Sequence, residues 1–169
     1  MDPITLIDKY CQSEKQRHIL LTHSIAVANK ALAIARQHPE MRTDEQFIKE
    51  AALLHDIGVV RVNAPAIECY GEEAYIRHGI LGAEILRNEG LGHHALVCER
   101  HTGTGLTLRQ IVEQNLPLPH YDMQPVSIEE QIICFADKFF SKTRLESEKT
   151  IEQARRSLEK FGKDRGIPQ

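Results

Sequence analysis

The chain has 169 residues, 41% hydrophobic and 27% charged, a size and balance that place it among globular chains able to bury one core. Lys and Arg number 21 against 24 Asp and Glu, a net charge of −3, which excludes an overall positive field for holding a nucleic-acid backbone or an anionic membrane. The unusual count is histidine, nine residues in a chain with no tryptophan and 5% aromatic residues.

In chain order, the start Met1-Asp2-Pro3-Ile4-Thr5 has no basic segment leading into an apolar one, and no apolar run is expected to reach the roughly 20 residues of a membrane span. The capping pattern Ser/Thr-x-x-Glu/Gln recurs at Ser13 to Gln16, Thr43 to Gln46, Thr107 to Gln110, Ser127 to Glu130 and Thr150 to Gln153, each before a helical apolar pattern. The first predicts a long helix over 14–38, stopped by Pro39, with Leu20, Val27, Ala31 and Ile34 at helical spacing. The second predicts a helix over 44–57 with Phe47, Ala51 and Leu54 inward and Gly58 as a left-handed cap. Val59 to Val62 resembles a strand but is too short to found a sheet. Further helices are predicted over 76–89, closed by Gly90, and over 93–101, 108–115, 128–142 and 151–161, the last with Ile151, Ala154, Leu158 and Phe161 on one stripe before Gly162. Segments 59–71 and 115–125 read as loops, and 142–149 as a charged, solvated helix surface and turn. The expectation is an all-α, compact multi-helix bundle, a single domain over 1–169 with its core at about 17–144 and helix 151–161 packed on it. Cys11, Cys69, Cys98 and Cys134 are scattered without a Cys-x-x-Cys pair, which predicts reduced, mostly buried thiols in a cytoplasmic protein.

Histidines carry information where they fall on apolar stripes. His23 stands four residues before Val27 and eleven before Ile34 on the long helix, and His55 continues the four-residue series Phe47, Ala51. Asp56 points about 100° round from His55, near enough to act beside it. His78 opens a stripe with Gly82 and Ile85, where Gly79 and Gly82 allow another backbone to approach, and His101 shares a face with His94 and Val97. Asp137, four residues after Ile133 and three before Phe140, puts a carboxylate on an apolar face with no Lys or Arg on its stripe at the preceding turn. An unpartnered buried carboxylate costs several kcal/mol; a bound cation resolves that cost and accounts for the inward imidazoles. Imidazole with carboxylate suits Fe, Mn, Co, Ni or Zn, with Mg also admissible, and the lack of a thiolate pair argues against a structural zinc knot.

In this order the motifs resemble the HD-domain superfamily, and in particular its small HDIG-type phosphohydrolases. The match runs through His23, Ala51-Ala52-Leu53-Leu54-His55-Asp56-Ile57-Gly58, His78, Glu99-Arg100-His101 and Phe135-Ala136-Asp137, over about residues 17–144. The resemblance implies a metal core of His23, His55, Asp56 and Asp137, with His78 and His101 at the positions that hold a second ion in the dinuclear subgroup, and His55 and Asp56 at the catalytic heart. That subgroup includes bacterial hydrolases that split diadenosine tetraphosphate symmetrically. Val59 stands where the cyclic-di-GMP phosphodiesterases carry a lysine, and Val59-Val60 where the guanosine-tetraphosphate hydrolases carry acidic residues, so neither branch is expected.

The implied activity is hydrolysis of a phosphoester or phosphoanhydride bond in a nucleotide or other small phosphorylated metabolite, by a metal-activated water. Two divalent ions would be bridged by Asp56, without a protein nucleophile. Arg77, Arg100, Lys138 and Lys142 are candidate phosphate contacts beside the ligands, as are His94 and, more remotely, Arg17. Thr102 to Gly105 and the loop with His120, Tyr121 and Asp122 are candidate pocket walls, while His18, His38, His93 and His120 stay unassigned. A mixed-valent di-iron oxygenase of the same superfamily and a non-catalytic metal-bound sensor are the competing readings. No nucleic-acid or membrane partner is expected.

Overall fold

The computed structural model describes residues 1–159. Helix begins earlier than the apolar pattern suggests: in α1 (Pro3–Tyr10) the Asp2 carboxylate accepts from the Ile4 and Thr5 amides at 3.3 Å, and Pro3 occupies a first-turn position that needs no amide donor. Leu6 and Ile7 dock it into the core.

The long helix α2 (Glu14–Gln37) is as expected, with the Ser13 hydroxyl accepting from the Gln16 amide at 3.1 Å. By length and composition alone it is long and apolar enough to cross a membrane, contrary to the expectation that no such run exists. Leu20, His23, Val27, Ala31 and Ala35 are buried on it, and it packs against α3 (Glu45–Leu54) and α7 (Ile128–Asp137). The cap of α3 is Asp44, which accepts from the Phe47 amide at 3.0 Å, rather than the predicted Thr43. Either residue offers an oxygen, and the chain uses the one nearer the first apolar turn.

Two further departures concern the stretch after α3. The strand-like segment Val59 to Val62 belongs to a 3-10 turn (Ile57–Arg61, capped by Val62), closed by the Val59 amide donating to Asp56 O at 3.0 Å and the Val62 amide to Val59 O at 3.2 Å. Val59, Val60 and Val62 are all buried, and a short apolar run surrounded by core carries no period that separates strand from tight helix. Gly58 is not left-handed. It is needed for close approach, since a Cβ there would lie 1.9 Å from His78 O and 2.4 Å from Gly82 N. Gly82 serves the same contact from α4 (His78–Asn88), which lies across the 3-10 turn and α5 (Gly92–Glu99), and Gly79 lets α4 approach α5, where a Cβ would lie 2.6 Å from Cys98 O. Gly90 closes α4 with φ +79°.

The strand pairs among the described residues are short: β1 (Asn63–Ala64) with β2 (Cys69–Tyr70), and β3 (Phe140–Ser141) with β4 (Arg144–Glu148). The second pair replaces both the predicted last turn of helix 128–142 and the solvated helix surface after it. Helix α7 ends at Asp137, where the Lys138 and Phe139 amides turn back to Phe135 O and Ala136 O, and the chain reverses through Lys142 and Thr143. The structure places α6 at Leu108–Glu113 and α8 at Ile151–Ser157, each opened by a full capping box, as is α7. Phe161 and Gly162, assigned to the last helix from sequence, lie outside the described residues.

One apolar cluster joins α1, the first half of α2, the 3-10 turn, α4 and α5; a second joins the rest of α2, α3 and α7. On α2, His23 stands between Leu20–Leu21 of the first and Val27–Ala28 of the second. The cap of α7 supports this arrangement, because the Ser127 hydroxyl accepts from the Glu130 amide at 3.1 Å while Glu130 accepts from the Ser127 amide at 3.3 Å. Ser127→Ala is expected to cost about 1 kcal/mol, read as a fall in melting temperature of about 2–4 °C.

Candidate metal centre

Each ligand candidate stands where a helix passes through or ends at the seam between the clusters. His23 projects from the middle of α2, His55 and Asp56 follow the last residue of α3, His78 opens α4, His101 follows α5 by two residues, and Asp137 ends α7. Five of the six are buried, and the Asp137 side chain is 14% exposed. Ligand atoms of His23, His55, Asp56 and Asp137 lie within 4.8 Å of one another, as do those of Asp56, His78 and His101, so Asp56 belongs to both groups.

The distances show how the carboxylates divide. Asp56 Oδ2 lies 3.2 Å from both His23 Nε2 and His55 Nε2, and its Oδ1 lies 3.1 Å from His101 Nε2 and 3.4 Å from His78 Nε2. Asp137 Oδ1 is 2.9 Å from His23 Nε2 and 3.2 Å from His55 Nε2. His78 Nε2 and His101 Nε2 face each other at 3.0 Å.

Backbone carbonyls decide which nitrogen points inward. His55 Nδ1 is 2.6 Å from Ala52 O, His78 Nδ1 2.7 Å from Tyr75 O, and His101 Nδ1 2.6 Å from Cys98 O. In all three the carbonyl lies three residues upstream in the preceding turn, and a carbonyl only accepts, so Nδ1 carries the hydrogen and Nε2 faces the carboxylates. Among the described residues His23 Nδ1 has no hydrogen-bond partner. Inward imidazole nitrogens and carboxylate oxygens therefore converge within 4.8 Å of one another in each group, a donor set that fits divalent cations.

Electrostatics follow the same geometry. Burial alone would push the His55 imidazole down, but Asp56 and Asp137 beside it raise it to about 10. Burial and the neighbouring His101 push His78 down to about 3, keeping it neutral. Against the opposing effect of burial, His55 and Lys142 hold the Asp56 carboxyl well below the usual carboxylate range, and Lys138 and His55 do so for Asp137.

The two lysines correct part of the sequence argument. Asp137 is not without a protein cation: Lys138 Nζ donates to its Oδ2 at 3.0 Å and to His101 O at 2.8 Å. Lys142, at the turn of the β3–β4 hairpin, donates to Asp56 Oδ2 at 2.8 Å. Both line a cavity of about 410 Å³ above the ligands, with Tyr75, Thr102, Ser141 and Leu158 among its walls.

The other predicted contacts lie elsewhere. Arg77 reaches Pro117 O at 2.9 Å, Arg100 pairs with Glu130 at 2.9 Å, His94 pairs with Glu50 at 3.0 Å, and Arg17 pairs with Asp8. None of these four lines the cavity. Their partners, Pro117 O for Arg77 and the buried Glu130 for Arg100, hold these two side chains away from the cavity that His78 and His101 line. The loop over 115–125 is also no cover for it: the Tyr121 hydroxyl donates to Glu99 at 2.8 Å and Met123 is buried against Leu106. Thr102 and Gly103 do reach the wall. Sequence reasoning missed Tyr75, whose ring stacks on His78 with centroids 4.6 Å apart; its only signal was an aromatic residue one turn before a ligand.

Comparison with known proteins agrees with this geometry. The pattern of the HD domain family matches residues 20–141. An uncharacterized protein of Methanocaldococcus jannaschii is 34% identical over 145 residues, covering 83% of this chain and 78% of its own. The tRNA (cytidine(56)-2'-O)-methyltransferase of Thermoplasma volcanium is 31% identical over 155 residues, covering 90% of this chain, which spans 40% of that longer protein. Among solved structures, the phosphodiesterase PgpH HD domain of L. monocytogenes superposes with a TM-score of 0.57 at 19% identity, covering 96% of this chain and 83% of that one. A second structure of that domain, in complex with cyclic-di-AMP, gives 0.56 at 21% identity, covering 96% and 81%.

Proposed function

The chain belongs to the HD domain family, and from that membership we propose that it is a metal-dependent phosphohydrolase acting on a small phosphorylated substrate, best a nucleotide or nucleotide derivative. The observation that carries this reading is the sharing of Asp56, one oxygen facing His23 and His55 and the other facing His78 and His101. Two divalent ions of the Mn, Fe, Co, Ni or Zn type, bound there, would acidify water toward neutral pH and neutralise charge on a transferring phosphoryl group.

The chain's own residues supply the rest. Asp56 and Asp137 provide anionic oxygens, and the backbone-held rings of His55, His78 and His101 present Nε2 without the cost of ordering a mobile side chain. Lys138 and Lys142 set positive charge at the cavity floor, where phosphoryl oxygens gain most from it. No protein nucleophile is required, and the buried Cys98 thiol, which donates to Leu54 O at 3.3 Å and is raised by burial, is not one. The cavity volume of about 410 Å³ lies in the range for small-molecule sites. Tyr75 and Leu158 offer an apolar wall for a base or sugar. The cyclic-di-AMP complex of the PgpH domain supports the nucleotide class. The free cysteines are in keeping with a cytoplasmic setting.

The test is a hydrolysis screen with metal-stripped protein reloaded with Mn, Fe, Co, Ni or Zn, read as free phosphate for the monoesters and as new nucleotide products on chromatography for the rest. Nucleoside monophosphates, cyclic dinucleotides, dinucleoside polyphosphates and sugar phosphates form the panel. Metal-dependent hydrolysis of at least one nucleotide, abolished by a chelator and restored by the ion, is expected. Folded, metal-loaded protein that hydrolyses nothing in the panel would overturn the reading.

A further inference from the structure

The chain brings a cation of its own to the shared carboxylate, and we propose that Lys142 is an exchangeable counter-ion of the metal centre, neutralising Asp56 until an ion loads and then engaging phosphoryl oxygens in the cavity. The second half of this proposal rests on the phosphohydrolase reading. Lys142 Nζ lies 2.8 Å from Asp56 Oδ2. That same oxygen lies 3.2 Å from His23 Nε2 and from His55 Nε2, so the ammonium and a bound ion contest one acceptor. In a buried site two cations on one carboxylate oxygen repel with little screening.

The hairpin makes exchange mechanically simple. Lys142 sits at a turn between the two-residue β3 and β4, with Ser141 partly and Thr143 well exposed. Its amino group is 5.7 Å from the centroid of the Tyr75 ring, whose face lines the cavity. Lys138 differs, because the His101 carbonyl holds its ammonium in addition to Asp137. An ammonium released from Asp56 thus enters a space lined by Thr102, Ser141 and Thr143, where a phosphate dianion gives it a new partner. Metal and phosphate must then strengthen each other's binding by the same factor.

Calorimetric titration of Mn2+ into metal-stripped protein, with and without inorganic phosphate, tests this on the wild type, Lys142→Met and Lys142→Arg. Lys142→Met is expected to bind Mn2+ about tenfold tighter than wild type without phosphate and to lose most of the gain that phosphate brings the wild type. Lys142→Arg, which keeps the charge, should retain the phosphate effect. Lys142→Gln provides a second neutral variant if the methionine impairs folding, with thermal melts as the check. Equal or weaker Mn2+ binding by a folded neutral variant overturns the proposal, as does a phosphate effect that survives loss of the charge. If no panel compound is hydrolysed yet the neutral variant binds Mn2+ more tightly, the counter-ion role stands and the hydrolase reading falls; intact turnover with unchanged Mn2+ binding gives the converse.

Discussion

Asp56→Asn is expected to remove metal binding and phosphate release together, lowering turnover by at least roughly 10³-fold, beyond the 10–100-fold typical of losing a partner outside the ligand shell. One side chain faces both ligand groups, so a single neutral amide weakens two sites at once. The amide also keeps only one acceptor oxygen, and its NH2 must point at an imidazole group or at Lys142. Metal content by plasma emission and phosphate release under saturating Mn2+ are the measurements. Far-ultraviolet circular dichroism shows whether the helices persist, as expected for Asn, which preserves the volume at a fully packed position. Wild-type metal content in the variant would show that the ions are held elsewhere.

Gly58→Ala is expected to be the most destabilising single-methyl change outside the ligands. The added Cβ would lie 1.9 Å from His78 O and 2.4 Å from Gly82 N, and neither is the end of a side chain that can swing aside. Relief requires the 3-10 turn and α4 to separate, at about 3 kcal/mol or more, equivalent to a melting-temperature drop of about 6–12 °C. Because the displaced carbonyl belongs to His78, metal affinity should fall as well. Gly90→Ala provides the contrast: nothing lies within 4 Å of a Cβ there, though its φ is +79°, so it carries backbone strain without a collision and should leave metal affinity unchanged. Equal loss of affinity in both variants would remove the packing argument.

Much of the centre was legible in the sequence because a ligand on an apolar stripe is conspicuous. His23, His55 and Asp137 interrupt helical runs of Val, Ala and Ile, and the structure brings all six proposed ligands together. The substrate-facing residues were less visible. Arg77 and Arg100 were chosen for nearness to His78 and His101 along the chain, yet each is taken up by a partner away from the cavity, Pro117 O for Arg77 and the buried Glu130 for Arg100. Lys142 was placed on a continuing helix; it reaches Asp56 because α7 stops at Asp137 and a hairpin folds back. Nothing in the local apolar pattern of 138–148 marks that reversal. The helix α1 was missed since two buried residues are too few to show a period, and the 3-10 turn resembled a short strand because Val59, Val60 and Val62 are apolar and all buried.

The three imidazoles tethered to carbonyls have a consequence for how the centre chooses its ion. His55, His78 and His101 have their rings aimed by these carbonyls, whereas His23, whose Nδ1 has no partner among the described residues, is aimed through Nε2 by Asp56 and Asp137. Most of the frame is thus cast before any ion enters, and a guest is judged by how well it meets fixed positions rather than by how well it draws flexible arms around itself.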